Sequence, residues 1–174
     1  MKIRQDDFYV EELLLIVSNF INGCYEFGLR KKDLAKAFKV AEVTIKKYAY
    51  KENIPSLEKM VNLLNYFKIS FDDILNINCL KINKNNNYVP ITFDKDVIIS
   101  NIKIIFKSSN KTKTMMAKEL KICDNTFNAI LKSESIPLFI SIYSLMKIYN
   151  KPFEWFFKVH KDDLISESLE LSKY

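Results

Sequence analysis

The side chains best suited to catalysis are few, and their spacing does not favour it. His160 is the only histidine, so a serine or cysteine nucleophile would have one candidate base, and no nucleophile-elbow motif lies near it. Cys24, Cys79 and Cys123 form an odd set without CxxC pairing, which argues against a zinc site or a disulfide framework. No glycine-rich phosphate loop occurs. The sequence therefore predicts a non-enzymatic protein without a metal or cofactor.

Basic side chains are concentrated in one segment. Between Arg30 and Lys51 there are eight lysine or arginine residues against Asp33 and Glu42, a local balance of +6. The whole chain has a formal net charge of +6 and a pI near 9.0. This concentration of positive charge suits a polyanionic partner such as nucleic acid.

The sequence carries no membrane or secretion signal. Its first residues lack a signal-peptide pattern, and the apolar run from Leu13 to Val17 is too short to cross a bilayer. We interpret the three cysteines as small core residues in a reducing compartment. We therefore expect a soluble, cytoplasmic protein that does not contact a membrane.

The composition favours helices, because the chain has only 2 glycines and 4 prolines. Apolar spacing predicts four longer helices, over Val10 to Phe27, Arg30 to Phe38, Glu42 to Tyr50 and Leu57 to Phe67. Gly28 is placed to end the first and Ser56 to cap the fourth. Ser70 or Asp72 opens a last short helix through Leu75. The predicted fold class is therefore all-α.

This pattern occurs twice without a gap. Ile54-Pro55 recurs as Ile136-Pro137, and the same shift of 82 positions aligns apolar positions across residues 16–75 and 98–157. We predict two tandem five-helix domains, residues 1–80 and 94–174. The linker, residues 81–93, is asparagine-rich and polar, which favours turn or disordered backbone. The tail from residue 161 is compatible with an amphipathic helix or with a loose end.

An aromatic segment lies near the end of the second copy. Phe153, Trp155, Phe156 and Phe157 fall within five residues, which is more than one short helix can bury. We expect most of them in the core and some at an interface.

The segment from Gly28 to Tyr48, followed by Ile54-Pro55-Ser56-Leu57, has a specific layout. It combines a Leu-Ala pair in the second helix, a small residue and Thr-Ile in the third, and a Pro-Ser-Leu opening of the fourth. In this layout it resembles the lambda-repressor/Cro-like (Xre-type) helix-turn-helix family, and the two copies together cover nearly the whole chain. Two positions depart from the family: its helix-two glutamine is replaced by Lys31 and Lys113, and its helix-three glutamate by Ala49 and Leu131.

The resemblance implies that the third helix of each copy enters the major groove while the second helix contacts phosphates. In the first copy it implies groove-facing Ala41, Glu42, Val43, Lys46 and Lys47, with Lys31, Lys32 and Lys51 near phosphates. In the second copy the corresponding groove-facing residues are Cys123, Asp124, Asn125 and Asn128, flanked by Lys111, Lys113 and Lys132. Because a carboxylate at position 124 repels phosphate, we expect the second copy to bind DNA more weakly.

Two classes of function remain open. The first is a sequence-specific transcriptional regulator, a repressor that binds double-stranded DNA as a monomer or a homodimer. The second is a protein- or RNA-binding module on the same scaffold, such as an antitoxin or a phage-encoded inhibitor of a CRISPR-type host defence nuclease. The richness in lysine, asparagine and isoleucine is typical of an AT-rich bacterial or phage genome.

Overall fold

The computed structural model describes residues 8–75 and 88–160, and both parts are built from helices connected by short turns. The α-helices are α1 (Phe8–Glu26), α2 (Lys31–Phe38), α3 (Glu42–Ala49), α4 (Leu57–Phe67), α5 (Phe71–Leu75), α6 (Lys95–Ser108), α7 (Lys113–Glu119), α8 (Asp124–Leu131) and α9 (Phe139–Tyr149). A 3-10 helix, Phe153–Phe157, ends the described chain. These two parts contain no strand, so the all-α prediction is confirmed for them.

In residues 8–75 the helix bounds agree with those predicted from the sequence to within a few residues. Gly28, with φ +83°, takes the left-handed conformation that ends the first helical segment. The Ser56 hydroxyl accepts a hydrogen bond from the Lys59 amide at 3.4 Å and caps α4. Ser70, rather than Asp72, caps α5, because its hydroxyl accepts from the Asp73 amide at 3.1 Å.

The backbone of residues 8–75, called here the N-terminal half, recurs in residues 88–160, the C-terminal half. With the offset of 82 residues, the bounds of α3 and α4 become those of α8 and α9, and α5 becomes the 3-10 helix. Left-handed residues recur at the same offset, as the pairs Gly28 and Asn110, Lys39 and Lys121, Lys51 and Ser133, and Lys68 and Asn150. The two halves therefore follow the same path, turn by turn.

One hydrophobic core runs through both halves. The Phe71 ring stacks on the Phe153 ring with centroids 4.9 Å apart, and it meets Phe139 and Tyr143 edge-on at 5.6 and 6.2 Å. All four side chains are buried. Phe71 and Phe153 are also equivalent positions at the offset of 82. The aromatic segment predicted from the sequence thus lies mainly inside the molecule, and Phe153 forms part of the contact between the halves.

Polar contacts also join the halves. The Lys147 ammonium lies 2.9 Å from the Glu12 carboxylate, which connects α9 to α1. The Phe71 backbone N–H donates to a Glu154 carboxylate oxygen at 3.0 Å. These bonds fix the direction in which α1 and α5 meet the C-terminal half.

The described end of the predicted linker is packed on α4. The Asn65 side-chain amide donates to the Ile91 carbonyl and accepts from the Ile91 N–H, both at 2.8 Å. Tyr88 donates its hydroxyl to the same Asn65 oxygen at 2.7 Å, and Ile91 is buried. The rest of the linker prediction, residues 81–87, and the tail from residue 161 lie outside the described residues.

The shared core makes a stability prediction for the whole chain. Phe153→Ala removes a fully buried ring, so we expect the free energy of unfolding to fall by about 3–5 kcal/mol. Both halves should still unfold in a single transition in urea, followed by circular dichroism. Phe27→Ala is the matched control, because that ring is 59% exposed and its loss should cost less than about 0.5 kcal/mol. Two separate transitions in the parent protein would contradict the single core.

Candidate nucleic-acid interface

The inward face of α3 fixes this helix on the N-terminal half. Ile45 and Tyr48 are buried, and the Tyr48 ring lies 5.4 Å from that of Phe38 on α2. The Ser18 hydroxyl on α1 donates to the Ala49 carbonyl at 2.6 Å, which holds the last turn of α3. This role of Ser18 was not predicted from the sequence. The one signal for it was a serine in an otherwise apolar stretch of α1.

The predicted DNA-contacting residues of the N-terminal half lie on its solvent side. Seven of them are exposed and Lys31 is half-buried; the exposed ones are Lys32, Ala41, Glu42, Val43, Lys46, Lys47 and Lys51. Val43 is 62% exposed, so a branched apolar side chain stands in water at the start of α3. Tyr50 follows α3 directly and is 74% exposed, although it was not among the predicted DNA-contacting residues. An exposed face that combines apolar groups with ammonium groups is compatible with DNA contact.

Ion pairs within the described residues leave Lys46 and Lys47 unpaired. Arg30 and Asp33 pair with each other at 3.1 Å at the start of α2, and that hydrogen bond lowers the pKa of Asp33. Within residues 8–75 and 88–160, no carboxylate forms an ion pair with Lys46 or Lys47. The ammonium groups of Lys46 and Lys47 are therefore open to an external partner on the described side of α3.

The equivalent face of the C-terminal half differs in chemistry. Cys123, Asp124 and Asn125 are exposed and Asn128 is half-buried, while Lys113 and Lys132 flank them in water. The Thr114 hydroxyl donates to the Asp124 carboxylate at 2.6 Å. Helix α8 contains no lysine or arginine. Both helices begin with a carboxylate, Glu42 in α3 and Asp124 in α8, but α8 has Asn128 and Ala129 where α3 has Lys46 and Lys47.

Lys111 is engaged inside the C-terminal half. Its ammonium pairs with Glu119, which raises the pKa of Lys111, and it lies 5.1 Å from the centre of the Tyr149 ring. The Tyr149 hydroxyl also donates to Glu119 at 2.8 Å. The equivalent positions in the N-terminal half are apolar: Leu29, Ala37 and Phe67. Lys111 thus stands where the N-terminal half has an apolar residue, and its predicted contact with DNA stays a prediction.

The cysteines lie in different environments. Cys24 is buried, which raises the pKa of its thiol to about 12. Cys123 is exposed at the start of α8, and a hydrogen-bonding contact of 3.1 Å with the Thr126 hydroxyl lowers the pKa of its thiol. The prediction that the cysteines are core residues is therefore wrong for Cys123, because the N-cap position of α8 faces water. Cys79 lies outside the described residues.

Comparison with known proteins identifies the segment around α3. Residues 26–74 match the model of the helix-turn-helix family of the lambda-repressor-like (Xre) type. This helix-turn-helix segment begins at the last residue of α1 and ends in α5, so it contains all of α2, α3 and α4. The match indicates a DNA-binding helix-turn-helix regulator in general, and it does not extend to the C-terminal half. Searches of curated proteins and of solved structures gave no match.

Three further observations bear on metal binding, membrane insertion and the single histidine. Among the described residues, no three His, Cys, Asp or Glu side chains are grouped closely enough to hold a metal ion. No described helix is both long and apolar enough to cross a bilayer. His160 stacks on the Trp155 ring at 4.4 Å and is half-buried, so it packs against the end of the fold.

The Ser18 hydrogen bond should stabilise the position of α3. We expect Ser18→Ala to reduce the free energy of unfolding by about 1–3 kcal/mol, because it leaves the Ala49 carbonyl without its partner. Ser100→Ala is a matched control: Ser100 is the equivalent residue on α6 and is exposed. Denaturant titration of the two variants would contradict this role if both lost the same stability.

The two described thiols should differ in reactivity. Because the thiolate is the reacting form, we expect Cys123 to be alkylated by iodoacetamide much faster than Cys24 at pH 7.5. Peptide mapping by mass spectrometry gives the two rates separately. Thr126→Val should slow the reaction of Cys123, because it removes the hydroxyl that lowers the pKa of the thiol. Equal rates at both thiols would contradict the assigned environments.

Proposed function

We propose that this chain is a sequence-specific transcriptional regulator, a repressor, that inserts α3 into the major groove of duplex DNA. The observation that carries the proposal is the exposed face of α3 within the helix-turn-helix segment. Lys46 and Lys47 lie there without a described ion-pair partner, close to the exposed Val43. Lysine can donate to guanine O6 and N7, and an apolar side chain can contact the thymine methyl group.

Charge density on the same segment supports the proposal. Lys31 and Lys32 stand at the start of α2, and Lys51 follows α3, so ammonium groups lie on both sides of the proposed groove contact. Each lysine that neutralises a phosphate releases condensed counterions, which makes binding steeply dependent on salt. Phosphate contacts then position α3, and the side chains on its outward face select bases.

We further propose that the C-terminal half is a second helix-turn-helix unit. The equivalence of α7, α8 and α9 with α2, α3 and α4 supports this, since the same turns connect them. The Phe71 and Phe153 contact would hold α3 and α8 at a constant spacing. One chain could then contact two successive major-groove faces about 10 base pairs apart, as a dimer of single-unit repressors does. Repression would follow because the bound protein blocks the promoter, and homodimerisation would lengthen the site.

A protein-binding role has one observation in its favour. The exposed apolar side chains of the C-terminal half include Met115, Ile136 and Leu138, at 51%, 47% and 40%. Two of them replace polar residues of the N-terminal half, Asp33 and Ser56. A pull-down from nuclease-treated host lysate tests this alternative, because a stoichiometric protein partner that survives the treatment would favour it over DNA.

The DNA-binding proposal predicts the effect of two lysines. We expect the double variant Lys46→Ala, Lys47→Ala to weaken binding to the DNA flanking its own gene by at least about 1–3 kcal/mol. The slope of log affinity against log salt should also become shallower, by up to about 1.8 if both lysines meet phosphates. Fluorescence anisotropy at several salt concentrations, against native and scrambled duplexes, measures both quantities.

A charge-matched control separates local contact from net charge. Lys68 ends α4 and Lys158 follows the 3-10 helix. Both side chains are exposed, and neither residue belongs to α3 or to the turns beside it. The double variant Lys68→Asn, Lys158→Ala removes the same charge, and asparagine suits the left-handed backbone at position 68, as Asn150 shows. If the two double variants lose equal affinity, or if neither loses any, the proposed contact of α3 is wrong.

A further inference from the structure

The outward face of α8 carries amides at positions where α3 carries other groups. At the offset of 82 residues, Val43 becomes Asn125, Lys46 becomes Asn128, and Lys47 becomes Ala129. The charge of the surrounding segment falls as well. Residues 112–133 contain four lysines against Glu119 and Asp124, a balance of +2, whereas residues 30–51 have +6. The outward face of α8 therefore has fewer ammonium groups than that of α3 and two amides that α3 lacks.

Neither amide is used by the protein itself. Asn125 is exposed and Asn128 is half-buried, and within the described residues neither side chain forms a hydrogen bond. They are three residues apart on one short helix, so they lie on the same face. Asn101, by contrast, directs its amide nitrogen to three backbone carbonyls inside the same half, at 2.9 to 3.2 Å. The side-chain amides of Asn125 and Asn128 are thus available to a partner outside the described fold.

The chemistry of a carboxamide favours one base. It can donate to N7 and accept from the N6 amino group of adenine in the major groove, a bidentate pairing that an ammonium group cannot make. An uncharged amide also releases no counterion, so its contribution to binding does not depend on salt. The Asp124 carboxylate nearby is held by Thr114 and repels phosphate rather than attracting it.

From these observations we infer that the two halves divide DNA recognition. The N-terminal half supplies most of the electrostatic affinity, and the C-terminal half selects adenine through Asn125 and Asn128. The preferred duplex then has unequal half-sites, one with adenine at the bases that face α8. This inference rests on the proposed DNA-binding function and adds to it the base and the residues that read it.

The experiment begins with a duplex selected from a random pool by the parent protein. The affinities of the parent protein and of the double variant Asn125→Ala, Asn128→Ala for that duplex and for a scrambled one are measured over a range of salt concentrations. We expect the variant to bind the selected duplex at least about fivefold more weakly. Its affinity for the scrambled duplex and its salt dependence should stay unchanged. Lys46→Ala, Lys47→Ala, by contrast, should weaken binding to both duplexes and flatten the salt dependence.

A modified base tests the contact directly. Cross-linking of the parent protein to the selected duplex first shows which half-site lies against α8. We expect 7-deazaadenine, placed in that half-site, to weaken binding of the parent protein and to leave the affinity of the asparagine variant unchanged. Equal losses on the selected and scrambled duplexes, or no loss from either the variant or the modified base, would overturn the inference. If no duplex can be selected at all, the proposed DNA-binding function fails instead. Circular dichroism of each variant confirms that the fold is retained.

Discussion

Burial of the Phe71 ring is the constraint on which the relative placement of the two halves depends. This ring belongs to α5, a helix of only five residues, which is too short to be stable without packing. Phe153 stacks on it, Phe139 and Tyr143 meet its edge, and Glu154 accepts its backbone N–H. Residues from both halves therefore complete one core. A short helix that could have been a loose connection becomes the joint between them.

The same reasoning applies to α3 on a smaller scale. An isolated helix of eight residues is marginal in water, so its geometry must come from the contacts of its inward face. Ile45 and Tyr48 supply the apolar part of those contacts, and Ser18 supplies a hydrogen bond at the last turn. The long side chains of Lys46 and Lys47 on the outward face are exposed, while the backbone that carries them is held by these contacts. The packing contacts and the proposed DNA contacts thus lie on opposite faces of one helix.

Local signals made the helices predictable from the sequence. The N-cap at Ser56, the left-handed glycine at position 28 and the apolar spacing of each helix act within a few residues, so they can be recognised without the fold. The residues proposed to contact DNA came from the family resemblance instead, and most of them are exposed, whereas Lys31, Lys111 and Asn128 are half-buried. Contacts between positions far apart were not predictable. Nothing around Glu12 indicates Lys147 as its partner, and nothing around Asn65 indicates the Ile91 backbone.

Lys111 shows a second limit of sequence reasoning. The family resemblance implied that Lys111 flanks the groove-facing residues of the C-terminal half, and that contact stays a prediction. The structure gives it Glu119 and Tyr149 as partners, at positions that are apolar in the other half. Lys111, Glu119 and Tyr149 differ together from their apolar equivalents and bind one another. Such a cluster cannot be recognised from one of its residues alone. The interpretation of Cys123 as a core residue was wrong for a related reason. It rested on the residue type, which does not tell whether a position at the start of a helix faces the core or water.

The offset of 82 residues also has a genetic consequence. In a homodimer every substitution appears in both subunits, so the two recognition surfaces must remain identical. Here equivalent positions such as Lys46 and Asn128 are encoded separately, although their backbones follow the same path. A single codon change alters one surface and leaves the other intact. The scaffold thereby keeps the geometry of a symmetric pair while each half is free to acquire its own sequence preference.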